Sequence, residues 1–116
     1  MADLVGTCPK SFWGEWIREG DPAGTPWSGE EWAWFTKSPL ARQANPGDRF
    51  YVVAHGKLRG WAPIVRIATQ GEQWAICRKG DAVACTIQAP IAGFQGLRFR
   101  WWDRGIELPF PGWQIP

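Results

Sequence analysis

The chain has 116 residues, of which 45% are hydrophobic and 21% are charged, and its formal net charge at pH 7 is +2. This length suits one domain that buries a core without metal or disulfide support, and the composition excludes a largely disordered chain. We therefore treat residues 1–116 as a single domain. Its longest apolar runs, such as Tyr51–Ala54, are far shorter than the ~18 residues of a membrane-spanning helix, so we expect no membrane partner.

The N-terminal segment and the cysteines indicate where the protein resides. Met1–Leu4 has neither the basic region nor the apolar stretch of a signal peptide, which predicts a cytoplasmic protein. Cys8, Cys77 and Cys85 are odd in number and form no C-x-x-C pair, so we expect three buried free thiols. With a single histidine in the chain, no metal site and no cofactor are indicated.

Tryptophan is the most unusual component, with ten residues beside one tyrosine and one methionine. Each indole has a large apolar face and one N–H that needs an acceptor, so tryptophan collects where a dry surface meets a wet one. The basic side chains are also unevenly placed, since residues 37–66 carry six of them against a single carboxylate. A basic segment followed by an Arg- and Trp-rich one is typical of an anion-binding face, although charges scattered over a barrel exterior would look similar.

Two elements are predicted in the first third of the chain. Phe12, Trp13, Trp16 and Ile17 form one stripe of a short amphipathic helix that spans Pro9–Glu19. After a Gly- and Pro-rich loop, Ser28–Glu31 could cap a helix that runs to Phe35, but the period-two spacing of Trp32 and Trp34 fits a strand equally well.

The middle of the chain predicts two hairpins. The turn Asn45–Asp48 leads into the strand Arg49–His55, which reverses at Gly56 and returns as Leu58–Ala68. Pro63 in the returning strand requires an edge position or a bulge. The second predicted hairpin joins the strand Gln73–Arg78, through a turn at Lys79 and Gly80, to Asp81–Ile87.

A last strand is predicted over Gly96–Asp103, with Leu97, Phe99 and Trp101 on one face and Arg98, Arg100 and Trp102 on the other. Five or six mostly antiparallel strands with one or two short helices indicate an α+β, β-dominated fold, a small closed or half-closed barrel.

Four segments of the chain resemble parts of a known superfamily. Pro46–Val53 followed by Gly56–Ala62 resembles the P-G-D strand pair of PUA-like domains, particularly their ASCH and EVE branches. Phe12–Gly20 is similar to the helix before the first strand of ASCH domains, and Gly96–Trp102 would be the closing strand. The resemblance implies a PUA-like pseudo-barrel whose cleft faces nucleic acid, a nucleoside or a modified nucleobase.

One departure from that family bears on catalysis. ASCH enzymes that hydrolyse acylated cytidine carry a motif similar to G-x-K-T-x-T after the helix, whereas the corresponding segment here, Gly20–Thr25, contains no lysine. Glu31 and Lys37 are the remaining candidates for acid-base chemistry, but a loop or capping role is the simpler explanation for Glu31. We therefore expect a binding module rather than an enzyme.

The candidate binding residues are aromatic side chains that could stack on a base and cations that could hold phosphate. The alternative for each tryptophan is a place in the core, and for each arginine a surface contact with an aromatic ring. The aromatic candidates are Trp13, Trp16, Trp34, Trp61 and Trp102, and the cationic ones are Lys37, Arg59, Arg98 and Arg100.

The sequence favours a nucleic-acid or modified-nucleobase binding module with a Trp-lined pocket flanked by arginine. A small hydrolase acting on RNA or a modified nucleoside is the alternative. A domain that binds a protein partner or a second copy of itself is a further one, because aromatic residues and arginine are enriched at interfaces.

Overall fold

A computed structural model describes residues 2–7, 31–54, 56–79 and 83–110, without the side chains of residues 31–33, 70 and 79. The predicted helix Pro9–Glu19, with Trp13 and Trp16, therefore lies outside the described residues, as do Cys8, His55 and the turn at Gly80. No α-helix occurs in the described ranges.

Eight strands and two 3-10 helices make up the described structure. The strands are β1 (Leu4–Thr7), β2 (Glu31–Thr36), β3 (Arg49–Ala54), β4 (Lys57–Gln70), β5 (Gln73–Lys79), β6 (Val83–Thr86), β7 (Leu97–Phe99) and β8 (Leu108–Pro109). The 3-10 helices span Pro39–Gln43 and Arg104–Ile106. The segment after Ser28, for which the sequence allowed either a helix or a strand, is thus strand β2.

The strands form a curled half-barrel, which confirms the β-dominated fold. Six of them follow the order β2-β5-β4-β3-β1-β7, while β6 pairs with β4 and with β8. All the pairings are antiparallel except that of β1 with β3.

The hairpin of β3 and β4 forms as predicted, with Ala54 opposite Lys57. β4 is long enough to pair with β3 along its first half and with β5 along its second. Pro63 lies where β4 passes from one partner to the other, and the register with β5 shifts between Ile64 and Arg66. Because proline has no N–H to donate to a neighbouring strand, we expected Pro63 beside a bulge or at an edge, and it lies next to this shift in register.

The predicted hairpin between Gln73–Arg78 and Asp81–Ile87 is wrong. β5 pairs with β4 and β2, whereas β6 pairs with β4 through Gly60 and Trp61. Both edges of β5 are occupied by other strands. The tight turn at Gly71, whose φ of +62° glycine adopts without strain, joins β5 to β4, and β2 pairs along the other edge. Cys77 and Cys85 are buried free thiols, as predicted.

The last predicted strand is much shorter than expected, since β7 ends at Phe99. The Arg100 backbone N–H still donates to the Asp3 carbonyl, but the chain then turns into the second 3-10 helix, which the Asp103 side chain caps. The predicted alternation already fails at Phe99, which is 43% exposed. Trp101 is 52% exposed and Trp102 only 6%, although the alternation had placed Trp101 with the buried Leu97.

The core consists of two apolar clusters on opposite faces of the same strands. Phe50 and Val52 of β3 belong to the cluster inside the half-barrel, together with Leu4 and Ile76. The intervening Tyr51 and its β1 neighbour Val5 lie in the second cluster. The C-terminal segment, residues 87–110, covers this second face with Ile87, Ile91, Phe94 and Trp102. The paired strands β1 and β3 are thus buried on both faces, as is usual for parallel pairs.

Asp3 joins the N-terminal strand to this C-terminal segment. Its carboxylate is 1% exposed and accepts from the Nε of Arg100 at 3.0 Å and the Nη2 of Arg104 at 2.7 Å. It also accepts from the backbone N–H of Arg49 at 2.9 Å. Burial alone would raise the pKa of Asp3, but these hydrogen bonds outweigh it and hold that pKa below the ordinary 3.8.

A side chain at position 6 should disturb the packing inside the half-barrel. A Cβ on Gly6 would lie 3.0 Å from both the Phe50 and Trp34 rings. We expect Gly6→Val to lower the free energy of unfolding by about 1–3 kcal/mol through overpacking, measured by urea denaturation. Gly93→Ala is the matched control, because a Cβ there meets only Thr7, at 3.5 Å. Equal stability of both variants would contradict the close approach.

Asp3→Asn should destabilise the protein in a pH-dependent way. Asparagine cannot form the ion pairs that the Asp3 carboxylate makes with Arg100 and Arg104. Their loss should lower the free energy of unfolding by about 1–3 kcal/mol at pH 7. The pKa of Asp3 is lower in the folded state than in the unfolded chain. The contribution of Asp3 to stability is therefore complete above its unfolded-state pKa, and it is lost as the pH falls through its folded-state pKa.

The difference between the wild type and Asp3→Asn should therefore shrink below about pH 4, as measured by denaturation at several pH values. Asp103→Asn is the matched control, since asparagine caps a helix about as well as aspartate and this cap stabilises only its own turn. A difference that persists unchanged at pH 3 would refute the role assigned to Asp3.

Candidate functional site

Five aromatic rings form a continuous row on the outer face of the sheet. Neighbouring ring centroids lie 6.5 Å apart between Trp61 and Tyr51, 5.1 Å between Tyr51 and Trp102, 5.0 Å between Trp102 and Trp101, and 6.3 Å between Trp101 and Phe94. We call these five residues the aromatic row. Its tilted and edge-to-face contacts are the geometries that aromatic quadrupoles prefer.

The two parts of the chain that supply the row meet through sheet pairing and core packing. Tyr51 of β3 lies directly opposite Trp61 of β4. Trp101 and Trp102 follow β7, and Trp102 packs its edge against the Tyr51 ring at an interplanar angle of 78°. The next ring, Trp101, stands at 88° to Trp102 and is the most exposed member of the row. The row therefore runs from half-buried Trp61 through two buried rings to the surface.

Glu107 supplies acceptors for the polar atoms beneath the row. Its carboxylate accepts from the Tyr51 hydroxyl at 2.6 Å, the Trp102 Nε1 at 2.9 Å and the Arg49 Nη1 at 3.1 Å. The buried indole and phenol thereby obtain the partners they need. Glu107 is also the C-terminal cap residue of the second 3-10 helix, where its backbone N–H donates to the Arg104 carbonyl. Its side-chain bonds therefore connect that helix to the aromatic row.

Burial and the charge of Glu107 raise the pKa values of two groups near its carboxylate. Burial, reinforced by the hydrogen bond to Glu107, raises the pKa of Tyr51 above the ordinary 10.0, although Arg49 opposes the shift. Burial and the Glu107 charge raise the pKa of the Cys85 thiol to about 12. A thiol with so high a pKa is protonated at neutral pH, so Cys85 is not an activated nucleophile.

A guanidinium group lies over a ring at each end of the aromatic row. Arg49 has its Cζ 3.9 Å from the Trp61 ring centroid, and Arg98 has its Cζ 4.1 Å from that of Phe94. Arg98 is exposed, whereas the Arg49 side chain is 23% exposed. Cations at such distances are attracted by the negative face of an aromatic ring, which restricts where they point.

Three of the sequence-predicted site residues come together here. Trp61 and Trp102 belong to the aromatic row, and Arg98 lies at its exposed end. Arg100 is close by in sequence, but its guanidinium is bonded to Asp3 and to the Trp102 carbonyl. Trp102 is buried, so it supports the neighbouring indole and does not itself offer a face to solvent.

The structure places the other predicted residues elsewhere. Trp34 packs against Phe50 in the cluster inside the half-barrel, with ring centroids 5.3 Å apart. Arg59 is buried, donates from Nε to the Ala54 carbonyl and lies over the Phe110 ring, and burial lowers its pKa. Lys37 is exposed just after β2, and the side chain of Glu31 is outside the described part of the chain, with Trp13 and Trp16.

Three residues that the sequence analysis missed are central to this site, namely Arg49, Trp101 and Glu107. The period-two pattern after Gly96 favoured Trp102 over Trp101, because it assumed that β7 continues to Asp103. Glu107 follows a turn and carries no motif, so nothing local indicates that it lies under Tyr51. The β3 alternation did contain a signal, since Arg49 and Tyr51 are two residues apart and share a face.

The described residues contain neither a cluster of metal ligands nor a membrane-spanning helix. No group of three or more His, Cys, Asp or Glu side chains suited to a metal occurs among the residues that the structure describes. Within the same ranges, no helix is long and apolar enough to cross a membrane. No family model, curated protein or solved structure matches the chain.

The single tyrosine makes the buried end of the aromatic row measurable. We expect Tyr51 in the folded protein to form phenolate only well above pH 10, with unfolding in guanidinium returning it to its ordinary range. Because its folded pKa is raised, its contribution to stability is complete below the unfolded pKa and is lost as the pH rises above that value. Absorbance near the phenolate band reports Tyr51 alone.

Glu107→Gln is the companion variant for this titration. Removing the carboxylate should lower the pKa of Tyr51 part of the way back, because burial persists while the charge is lost. A phenolate that titrates near its ordinary value in the folded wild-type protein would show that the phenol is not enclosed in this way.

Proposed function

We propose that the protein is a PUA-like nucleic-acid-binding module that stacks an unpaired base on Trp101 and holds the adjacent phosphate with Arg98. The observation that carries this proposal is Trp101 itself, a large indole that is 52% exposed yet fixed in orientation by rings on both sides. A compartment with reduced thiols, such as the cytoplasm, fits the free cysteines Cys77 and Cys85.

Stacking on a fixed indole provides affinity without a requirement for a particular base. Each base–aromatic stack contributes about 1–3 kcal/mol. Trp101 is in edge contact with Trp102 and with Phe94, so little side-chain freedom remains for a ligand to restrict. In a duplex the base faces are covered by neighbouring bases, and this favours a single strand or a base turned out of the helix.

Arg98 suits the phosphate next to such a base. It is exposed, and no carboxylate among the described residues forms a salt bridge with it. Its guanidinium is positioned over Phe94, the same ring that contacts Trp101. A guanidinium presents two parallel N–H donors that match two phosphate oxygens.

A second candidate function is docking of a protein partner or of a second copy of this chain. It is favoured by the exposure of Ile106 and Leu108, which follow Trp101 in the C-terminal segment. Large exposed apolar side chains are common at interfaces. Sedimentation velocity over a range of concentrations separates the two candidates, since self-association predicts a concentration-dependent increase in the sedimentation coefficient.

Fluorescence anisotropy with labelled single- and double-stranded RNA and DNA tests the nucleic-acid proposal. We expect single strands to bind more tightly than duplexes and Trp101→Ala to weaken that binding roughly 5- to 150-fold, as the loss of one stack predicts. Arg98→Ala should weaken binding and reduce its dependence on salt, because one phosphate contact is lost.

Matched controls address general effects of these substitutions. Phe35→Ala removes an exposed aromatic ring from β2, and Arg42→Ala removes an exposed guanidinium that lies over Trp74. Both should leave oligonucleotide affinity unchanged. The proposal fails if no oligonucleotide binds, or if the controls weaken binding as much as Trp101→Ala does.

A further inference from the structure

Arg49, at the Trp61 end of the aromatic row, has a constrained guanidinium with unused donors. Its Nη1 donates to the Tyr51 hydroxyl at 2.9 Å and to Glu107 at 3.1 Å. Its Nε and Nη2 have no acceptor among the described residues. The side chain is nevertheless partly exposed, so these donors are not sealed within the core.

Three contacts fix the orientation of this guanidinium before any ligand arrives. Trp61 lies under its plane with the Cζ atom 3.9 Å from the ring centroid, while Tyr51 and Glu107 hold one edge. The backbone of Arg49 is fixed as well, through β3 and through its N–H bond to Asp3. Ordering a free arginine costs side-chain entropy, and here the fold has already met most of that cost.

Arg49 belongs to a group of ion pairs whose exposed parts are guanidinium groups. Glu107 pairs with Arg49, and Asp3 pairs with Arg100 and Arg104. These two carboxylates are almost buried, whereas the three arginine side chains are 23%, 24% and 36% exposed. The exposed carboxylate of Asp103 accepts from the Gly105 N–H in the neighbouring turn. An approaching anion therefore meets the guanidinium groups of these pairs before their carboxylates.

We propose that Arg49 is a preoriented oxyanion site that binds one phosphate group through Nε and Nη2. A guanidinium edge with two free N–H groups matches two oxygens of a phosphate or phosphodiester. That the phosphate belongs to a nucleic-acid strand rests on the proposed function. The strand would then contact the protein at both ends of the aromatic row, at Arg98 and at Arg49.

The first experiment examines the site without reference to nucleic acid. The Nε–H resonances of the arginines are followed by NMR in the wild-type protein during titration with inorganic phosphate and with a nucleoside 5′-monophosphate. Arg49 should shift saturably at concentrations where exposed Arg42, which lies over another indole, does not move. An Arg49 resonance that fails to move, or moves only together with Arg42, overturns the proposal.

The second experiment asks whether a strand uses the site. Arg49→Gln should reduce the slope of log affinity against log salt for a single-stranded oligonucleotide by about 0.7, the value for one lost phosphate contact. Arg66→Gln on the distant half of β4 is the control, for which the slope should not change. Arg49→Lys keeps the charge but loses the two-donor edge, so it should retain most of the slope and still bind more weakly.

The two proposals can fail separately. If Trp101→Ala abolishes oligonucleotide binding while Arg49→Gln leaves the salt slope unchanged, the stacking site stands and a strand contact at Arg49 is excluded. If no oligonucleotide binds but Arg49 shifts saturably with phosphate, the oxyanion site stands and its ligand is a free phosphate or nucleotide. Should Arg49→Gln not fold, the titration of the wild-type protein still decides the oxyanion site.

Discussion

The burial of β1 and β3 on both faces is the constraint on which the rest of this structure depends. Phe50 faces into the half-barrel, while Tyr51 faces outward and needs both an apolar cover and a partner for its hydroxyl. The C-terminal segment provides the cover with Trp102 and the partner with Glu107. Asp3 then joins the start of the chain to this segment through Arg100 and Arg104. Two buried carboxylates thereby hold the outer layer on the sheet.

The candidate site is a consequence of that attachment. Because Trp102 packs against Tyr51 as part of that cover, its neighbour Trp101 is directed to the surface and braced by Phe94. Glu107 satisfies the buried phenol and indole and, at the same time, holds Arg49 against Trp61. The same contacts that stabilise the fold thus fix an exposed indole within the aromatic row and a cation at each end of that row. Preorganised groups of this kind bind a ligand at low entropic cost.

Local patterns were sufficient for much of the fold and for little of the site. Period-two alternation and turn residues identified β3, β4 and the strand that became β5, because strand formation depends on neighbouring residues. They gave the wrong partner for β5, since sheet pairing is decided by contacts distant in sequence, such as those with β2. Local patterns also favoured Trp102 over Trp101, because they did not show that β7 ends at Phe99. Just beyond that end, the Arg100 side chain is bonded to Asp3, almost a hundred residues away along the chain. Arg59, which the sequence predicted as a phosphate-binding cation, is instead buried over Phe110.

Stacking of a nucleobase on Trp101 can be followed in the indole N–H region of the NMR spectrum. Each indole gives one resonance, and Trp101→Phe assigns that of Trp101. On addition of a single-stranded oligonucleotide, we expect the Trp101 resonance to shift or broaden most, with a smaller change at its neighbour Trp102 and none at Trp34, which packs inside the half-barrel. If no indole resonance moves, or if that of Trp34 moves while that of Trp101 does not, Trp101 is not the surface on which a base stacks.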